Sequence, residues 1–309
     1  MIQLYISILQ VDGKFPNIAL MKLSAWHKKK GDIVDIYRPL YSKPDRVYMS
    51  KVFLSSPDVP EPPNCEIVKG GIGYDLHKTL PDEIEHIYPD YEILNCDYAM
   101  GYTSRGCIRK CSFCIVREKE GKAHPVADIY EFWNGQNRLR LLDPNLSALP
   151  DHFHRVLDQL IKHNIYTDFS QGLDARLIDD DMAKHLSKVK LWKDIHIAWD
   201  RAKDEQSVVK GIKTLTKYIP ANKLMCYVLI GYDSTPEEDL YRVETLRSLG
   251  VHPFVMPYDK SDSYQRKFAR WVNRKQIFLT VPWERYSTGV KNKNFKEKQL
   301  NLNLIGGDK

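Results

Sequence analysis

The sequence has no apolar run of the ~18 residues that a bilayer-spanning helix needs, and its mean hydropathy is −0.46, so neither a spanning helix nor a membrane partner is expected. The start lacks a basic segment ahead of an apolar one. Its first ten residues, MIQLYISILQ, alternate apolar and polar side chains, which predicts a first strand in place of a signal peptide and hence a cytoplasmic chain. Low-complexity stretches and amino-acid repeats are missing, and 43% hydrophobic with 28% charged residues over 309 positions excludes dominant disorder. At roughly 150 residues per domain, that length suggests two domains. Six cysteines in a chain of this size do not make a disulfide scaffold, since cytosolic thiols stay reduced. A large charge of one sign is also lacking: 46 basic against 40 acidic residues give +6. Most of that excess lies from 285 to 309, where Arg285, Lys291, Lys293, Lys296, Lys298 and Lys309 face only Glu297 and Asp308. Such a tail attracts nucleic acid, but a solvated terminus has the same composition, so nucleic acid is a weakly supported partner.

What is present begins with strand and helix signals in alternation. Residues 2–9, 33–37 and 46–53 read as strands, Pro16 and Asn17 open a helix carrying Ile18, Met21 and Ala25 on one face, and Gly31 stops it. Ile67 and Val68 run into Gly70, Gly71 and Gly73, and four prolines (57, 60, 62 and 63) stiffen the loop before them. These features predict a small Rossmann-like α/β domain over 1–95. From 98 onward short apolar runs (98–103, 138–142, 166–170, 195–199, 224–230 and 253–257) alternate with helix-length segments (126–133, 151–163, 179–186, 205–218 and 236–249). That rhythm predicts parallel strands with right-handed crossovers. Six such units are fewer than a closed eight-unit barrel needs, so 96–290 is expected to form a partial (β/α)6 TIM-type barrel, followed by a basic tail at 291–309.

Cys65, Cys96 and Cys226 are scattered, whereas Cys107, Cys111 and Cys114 fall in one C-x3-C-x2-C segment directly after the first barrel strand. Barrels hold their active sites in such loops. Three thiolates make a soft ligand set suited to zinc or to iron–sulfur. Structural zinc wants a fourth protein ligand, for which Cys96 and His124 are the candidates, though neither has knuckle-like spacing. A four-iron cluster on three cysteines instead leaves one iron open, and three metal-free thiols are the remaining alternative.

The segment Gly106-Cys107-Ile108-Arg109-Lys110-Cys111-Ser112-Phe113-Cys114 resembles the C-x3-C-x-aromatic-C signature of the radical S-adenosylmethionine superfamily. Together with its strand placement and the βα rhythm, the resemblance covers about residues 97–258. It implies a [4Fe–4S] cluster on the three cysteines and S-adenosylmethionine chelated at the open iron. Reductive cleavage of that cofactor would then give a 5′-deoxyadenosyl radical that takes hydrogen from a substrate not identified by the sequence. A reductant such as flavodoxin or ferredoxin is implied as partner. Cofactor contacts are expected at Phe113 in the motif, Asp143 with Asn145 after the second strand, Gln171 and Arg176 after the third, Asp200 after the fourth, and Gly231 beside adenine after the fifth. Asp174 and Asp179 suit helix caps.

The first domain resembles the cobalamin-binding type that precedes some radical S-adenosylmethionine barrels, with Lys69-Gly70-Gly71 at a strand end. It lacks an Asp-x-His-x-x-Gly segment, His27 and His77 are expected to be surface residues, and cobalamin is therefore not expected. A second cysteine triplet and auxiliary cluster ligands are absent, so a single cluster is expected. Trp271, Phe278, Trp283 and Tyr286 among Arg266, Lys267, Arg270 and Arg274 suit either nucleotide stacking or an amphipathic helix against the barrel. The competing functions are a zinc-stabilised nucleic-acid-binding protein and a non-catalytic iron–sulfur protein on the same barrel.

Overall fold

The computed structural model describes residues 2–288, and the expected basic tail at 291–309 lies outside them. Strands β1 (Tyr5–Gln10), β2 (Ile33–Ile36), β3 (Arg46–Ser50) and β4 (Glu66–Gly70) form one sheet in the order β2-β1-β3-β4, with every pair parallel. Ile6 and Ile8 of β1 are fully buried and pack with Leu20, Leu23, Tyr48 and Ile84. Helix α1 (Ile18–Lys29) starts where Asn17 Oδ1 accepts from the Leu20 amide, and it ends before Gly31, whose φ of +89° suits a residue without Cβ. The β2–β3 and β3–β4 connections carry no helix, so among the described residues α1 is the one crossover helix of this sheet.

His27 departs from its expected place at the surface. It is 2% exposed, with Nδ1 2.6 Å from Asp32 and Nε2 3.0 Å from the Tyr48 hydroxyl. Its position on α1 one turn after Leu23 and Ser24 puts it on the buried stripe. Burial holds the ring's pKa below its ordinary value against the opposing pull of Asp32. The unfolded ring, with a pKa of about 6.5, then takes a proton that the folded ring resists, so stability falls as pH drops through that value. Urea titrations at about pH 7.5 and 5.5 should show His27→Gln losing less stability on acidification than the native chain. An equal loss in both would remove His27 from the account.

Beyond this sheet, β5 (Ala99–Gly101), β8 (Arg138–Leu141) and β9 (Tyr166–Phe169) are parallel, with Met100, Arg140 and Asp168 in one row. Between them the short strands β6 (Ser104–Arg105) and β7 (His124–Pro125) pair antiparallel. Helix α2 (Asp82–Glu85) precedes β5, and α3 (Val116–Glu120) separates β6 from β7. Helix α4 (Pro150–Lys162) begins with proline in its first turn, where a missing amide costs nothing, and α5 (Asp180–Leu186) is capped by Asp179 as anticipated. The helix expected at 126–133 is a single 3-10 turn, Ile129–Glu131. The amides of Val126 and Ala127 are taken by the Thr103 carbonyl, which extends the backbone that the helix would have used. Strand β10 (Ile195–Ala198) and helix α6 (Glu205–Thr216) follow.

By packing, the described residues divide into two compact units, the chain up to Ala198 with Ser207–Leu224, and Trp199–Gln206 with 225–288. In the second unit β11 (Leu224–Ile230) and β12 (His252–Pro257) are parallel, and helix α7 (Pro236–Ser248) opens with a capping box between Thr235 and Glu238. Helices α8 (Ser263–Val272), α9 (Lys275–Thr280) and α10 (Trp283–Thr288) close the described chain. Trp271 and Phe278 are buried, and Trp271 lies 5.3 Å from the Trp283 ring, so this aromatic group packs helix against helix.

Candidate cluster and cofactor site

The cysteine loop hangs between β6 and β7. Gly106, at its root, has a φ of +75°, and a Cβ there would collide with the Lys122 carbonyl, so only glycine lets the two chain segments approach. Glu120 accepts from the Gly106 amide at 2.9 Å and from Arg105 Nη1 at 3.0 Å, while Arg117 Nη1 donates to the Cys107 carbonyl at 3.0 Å. A turn follows, closed by the Cys114 amide on the Cys111 carbonyl, and α3 begins two residues later. Cys107 and Cys111 are half-buried and Cys114 is exposed. Cys107 Sγ accepts from the Arg109 amide at 3.3 Å and from Asn145 Nδ2 at 3.4 Å. Both contacts orient the sulfur, a soft donor for a metal.

Among the described residues no three His, Cys, Asp or Glu side chains converge as a finished metal site. Cys96 donates to the Tyr98 carbonyl and His124 Nδ1 faces the Lys122 carbonyl, so neither completes a zinc tetrahedron with the triplet. The donor set fits an iron–sulfur cluster chemically: three soft ligands on one loop, two hydrogen bonds already on one sulfur, and an exposed outer cysteine.

Asp143, just beyond β8, is 4% exposed. Its Oδ1 accepts from the amides and hydroxyls of both Thr103 and Ser104, at 2.5–3.1 Å. Its Oδ2 is buried with no hydrogen-bond partner. Burial pushes this carboxyl's pKa up, against the four donors that pull it down. Two residues on, Asn145 reaches Cys107 and accepts from the Ser147 hydroxyl at 2.9 Å, and that hydroxyl accepts from the Asp174 amide at 2.8 Å. Asp174 caps the turn Ala175–Leu177, as the sequence suggests, but its carboxylate also holds Arg176 at 2.6 Å and Arg109 of the cysteine loop at 2.8 Å. Two arginines hold this carboxyl's pKa below its usual range despite burial. The loops after β6, β8 and β9 are thereby tied to one another by side chains.

Of the expected contacts, Phe113 is half-buried on the cysteine loop, Gln171 is exposed in the turn after β9, and Arg176 is engaged by Asp174. Asp200 and Gly231 belong to the second unit, where each has a local task. Asp200 accepts from the Leu229 amide at 3.2 Å. Gly231 has a φ of +75°, and a Cβ would overlap the Gln265 side chain, itself fixed by the Asp259 amide at 3.0 Å. Gly231→Val is therefore expected to lower stability by about 1–2 kcal/mol or more through positive-φ strain, measured by chemical denaturation. An unchanged midpoint would mean that the backbone at 231 leaves the positive-φ region without cost. Arg109 and Ser147 were not singled out from the sequence. The signal available for Arg109 was its place inside the cysteine motif, which only the Asp174 contact makes legible.

An N-terminal parallel α/β sheet followed by parallel strands, with a three-cysteine loop after the first of them, is a layout with a counterpart among solved structures. The likeness is to a solved radical S-adenosylmethionine methyltransferase, TsrM from Kitasatospora setae, whose structure carries cobalamin and a [4Fe–4S] cluster. It spans 83% of this chain and 75% of that one, with a TM-score of 0.59 and 10% sequence identity, and so is a likeness of fold. No protein-family profile matches the sequence, and no curated protein matches it either.

Proposed function

We propose that the chain is a radical S-adenosylmethionine enzyme, with 1–95 as a cobalamin-binding-type domain and 96–290 as the partial barrel that holds one cluster on Cys107, Cys111 and Cys114. When bound, the cluster would supply the electron that cleaves S-adenosylmethionine to a 5′-deoxyadenosyl radical. The chain's own part is to hold and orient. Arg109 and Asn145 orient the Cys107 sulfur, and Asp143 offers its unpaired Oδ2 to the ammonium of the cofactor's methionine end. That orphaned oxygen carries the reading, because a buried carboxylate oxygen without a donor is costly and a cationic amine restores its partner. Phe113, Gln171 and Arg176 are assigned to the rest of the cofactor, and a flavodoxin- or ferredoxin-type reductant to the exposed side of Cys114.

Asp143→Asn tests this directly. The amide oxygen can still accept from Thr103 and Ser104, but a donor replaces the free oxygen, so affinity for S-adenosylmethionine should fall at least tenfold, or about 1.4 kcal/mol, at unchanged iron content. Equal affinity would remove Asp143 from the site. Anaerobic reconstitution with iron and sulfide counting tests the cluster, and stoichiometric zinc without iron would favour the zinc alternative. Cobalamin is tested by the spectrum of added hydroxocobalamin. Because His27 is engaged by Asp32 and Tyr48 and His77 is exposed and 3.8 Å from Glu118, no histidine-ligated spectrum is expected.

A further inference from the structure

The neck of the cysteine loop is held from outside the loop. Arg105 stands where the chain enters it and Glu120 where the chain leaves, and Glu120 takes Arg105 Nη1 on one oxygen at 3.0 Å and the Gly106 amide on the other at 2.9 Å. The Cys107 amide closes the neck on the Gly121 carbonyl at 3.2 Å. The other terminal nitrogen of Arg105, Nη2, donates to Glu85 Oε1 at 2.9 Å, and the guanidinium carbon lies 3.4 Å from the centre of the Tyr102 ring. Glu85 ends α2, which follows the N-terminal sheet, and Lys22 of α1 fixes it there. That lysine is 5% exposed, donates to the Glu85 carbonyl and stands 3.4 Å from Glu85 Oε1. A second tie joins the same two parts, because Lys119 Nζ of α3 donates to the Leu76 carbonyl, beyond β4, at 2.6 Å.

A loop pinned only against itself would need Arg105 and Glu120 and nothing more. A guanidinium stacked on a ring keeps its plane but can still turn within it, and two carboxylates on different nitrogens stop that rotation. Glu85 is the second of them. A lysine buried beside it costs desolvation that an apolar side chain of similar volume would not, so the row Lys22, Glu85, Arg105, Glu120 serves geometry more than stability. We infer that Glu85 is a positioning residue of the proposed reaction: held by Lys22, it fixes Arg105, through Arg105 and Glu120 the backbone of Gly106 and Cys107, and so the direction in which the Cys107 sulfur meets the cluster. The N-terminal part of the chain thereby has a task that needs no ligand of its own. The inference rests on the proposed function for the word cluster, and on the contacts from Lys22 to Gly106 for the positioning.

The test compares the native full chain with Glu85→Ala, with Glu85→Gln, and with a control, His86→Ala, which breaks the neighbouring 2.9 Å contact of His86 with Glu131 and leaves Arg105 alone. Amide exchange of the metal-free chain, read by mass spectrometry, should quicken about tenfold over residues 104–108 in Glu85→Ala while β1 and β8 keep their native rates. Glu85→Gln, whose amide oxygen still accepts from Arg105, should show a smaller rise, and it carries the test if the alanine variant does not fold. After reconstitution, iron should pass to a chelator roughly tenfold faster from Glu85→Ala than from the native chain, and the electron paramagnetic resonance spectrum of the reduced cluster should shift. His86→Ala should match the native chain in every reading. Native exchange at the neck in the folded Glu85 variants overturns the inference, and so does a rise shared equally by β1 and β8, which reports lost stability and no local hold. Native iron release and an unshifted spectrum alongside quickened exchange overturn it too, since Glu85 would then brace the loop without touching the cluster. Zinc without iron in the native preparation instead defeats the proposed function and leaves the exchange result standing.

Discussion

Replacing Cys107, Cys111 and Cys114 together by alanine should give a folded, colourless protein that holds no iron and forms no detectable 5′-deoxyadenosine. The loop keeps its shape through other groups: Glu120 on Gly106 and Arg105, Arg117 on the Cys107 carbonyl, and Asp143 on Thr103 and Ser104. The Arg109 amide and Asn145 Nδ2 lose the Cys107 sulfur as acceptor, at a cost of about 1–3 kcal/mol where they stay dry. Activity falls completely and stability little, because the sulfurs serve the metal and the core lies elsewhere. Retained iron in the triple variant, at the native ratio, would place the metal on other ligands, and an unfolded variant would show that the thiols hold the loop.

Arg242→Ala should be the most damaging single change outside the site, costing about 3–5 kcal/mol. Its guanidinium is fully buried and donates to the Trp199 carbonyl at 2.9 Å, the Leu229 carbonyl at 3.0 Å and Asp239 at 2.7 Å. Truncation leaves two carbonyls unsatisfied and Asp239 without its cation. Burial already pushes the Asp239 carboxyl up, and losing the arginine pushes it further. The folded variant then binds a proton that the unfolded chain, with a carboxyl pKa of about 3.9, releases, so its deficit should shrink as pH falls toward that value. Adding Asp239→Leu should recover part of the loss. A cost below about 1 kcal/mol in urea titration would mean that water enters and replaces the guanidinium.

Much of the architecture was legible in the sequence because its signals were local. The alternation of YISILQ, the Asn17 cap and the Gly31 stop placed the first strand and helix, and all six apolar runs after residue 97 contain the strands expected there. The cysteine loop was legible as spacing. What escaped was non-local. Nothing in the residues at 126–133 says that Thr103 takes their first amides, and nothing near His27 says that Tyr48, on a neighbouring strand, will cover it. Asp143 was expected from its place after a strand, but its division into one saturated and one orphaned oxygen depends on Thr103 and Ser104, about forty residues earlier. Arg140 and Asp168 passed unremarked because each is an ordinary charged residue in a strand until register puts them side by side. At Gly231 the Gln265 side chain stands where a Cβ would be, a contact that no residue near Gly231 in the sequence announces.

The most direct measurement is product analysis of the anaerobically reconstituted chain given S-adenosylmethionine and a strong reductant. The account predicts 5′-deoxyadenosine and methionine in equal amounts, dependent on Cys107, Cys111 and Cys114 and on iron. Intact S-adenosylmethionine after reduction of a protein that carries a full four-iron cluster would contradict it.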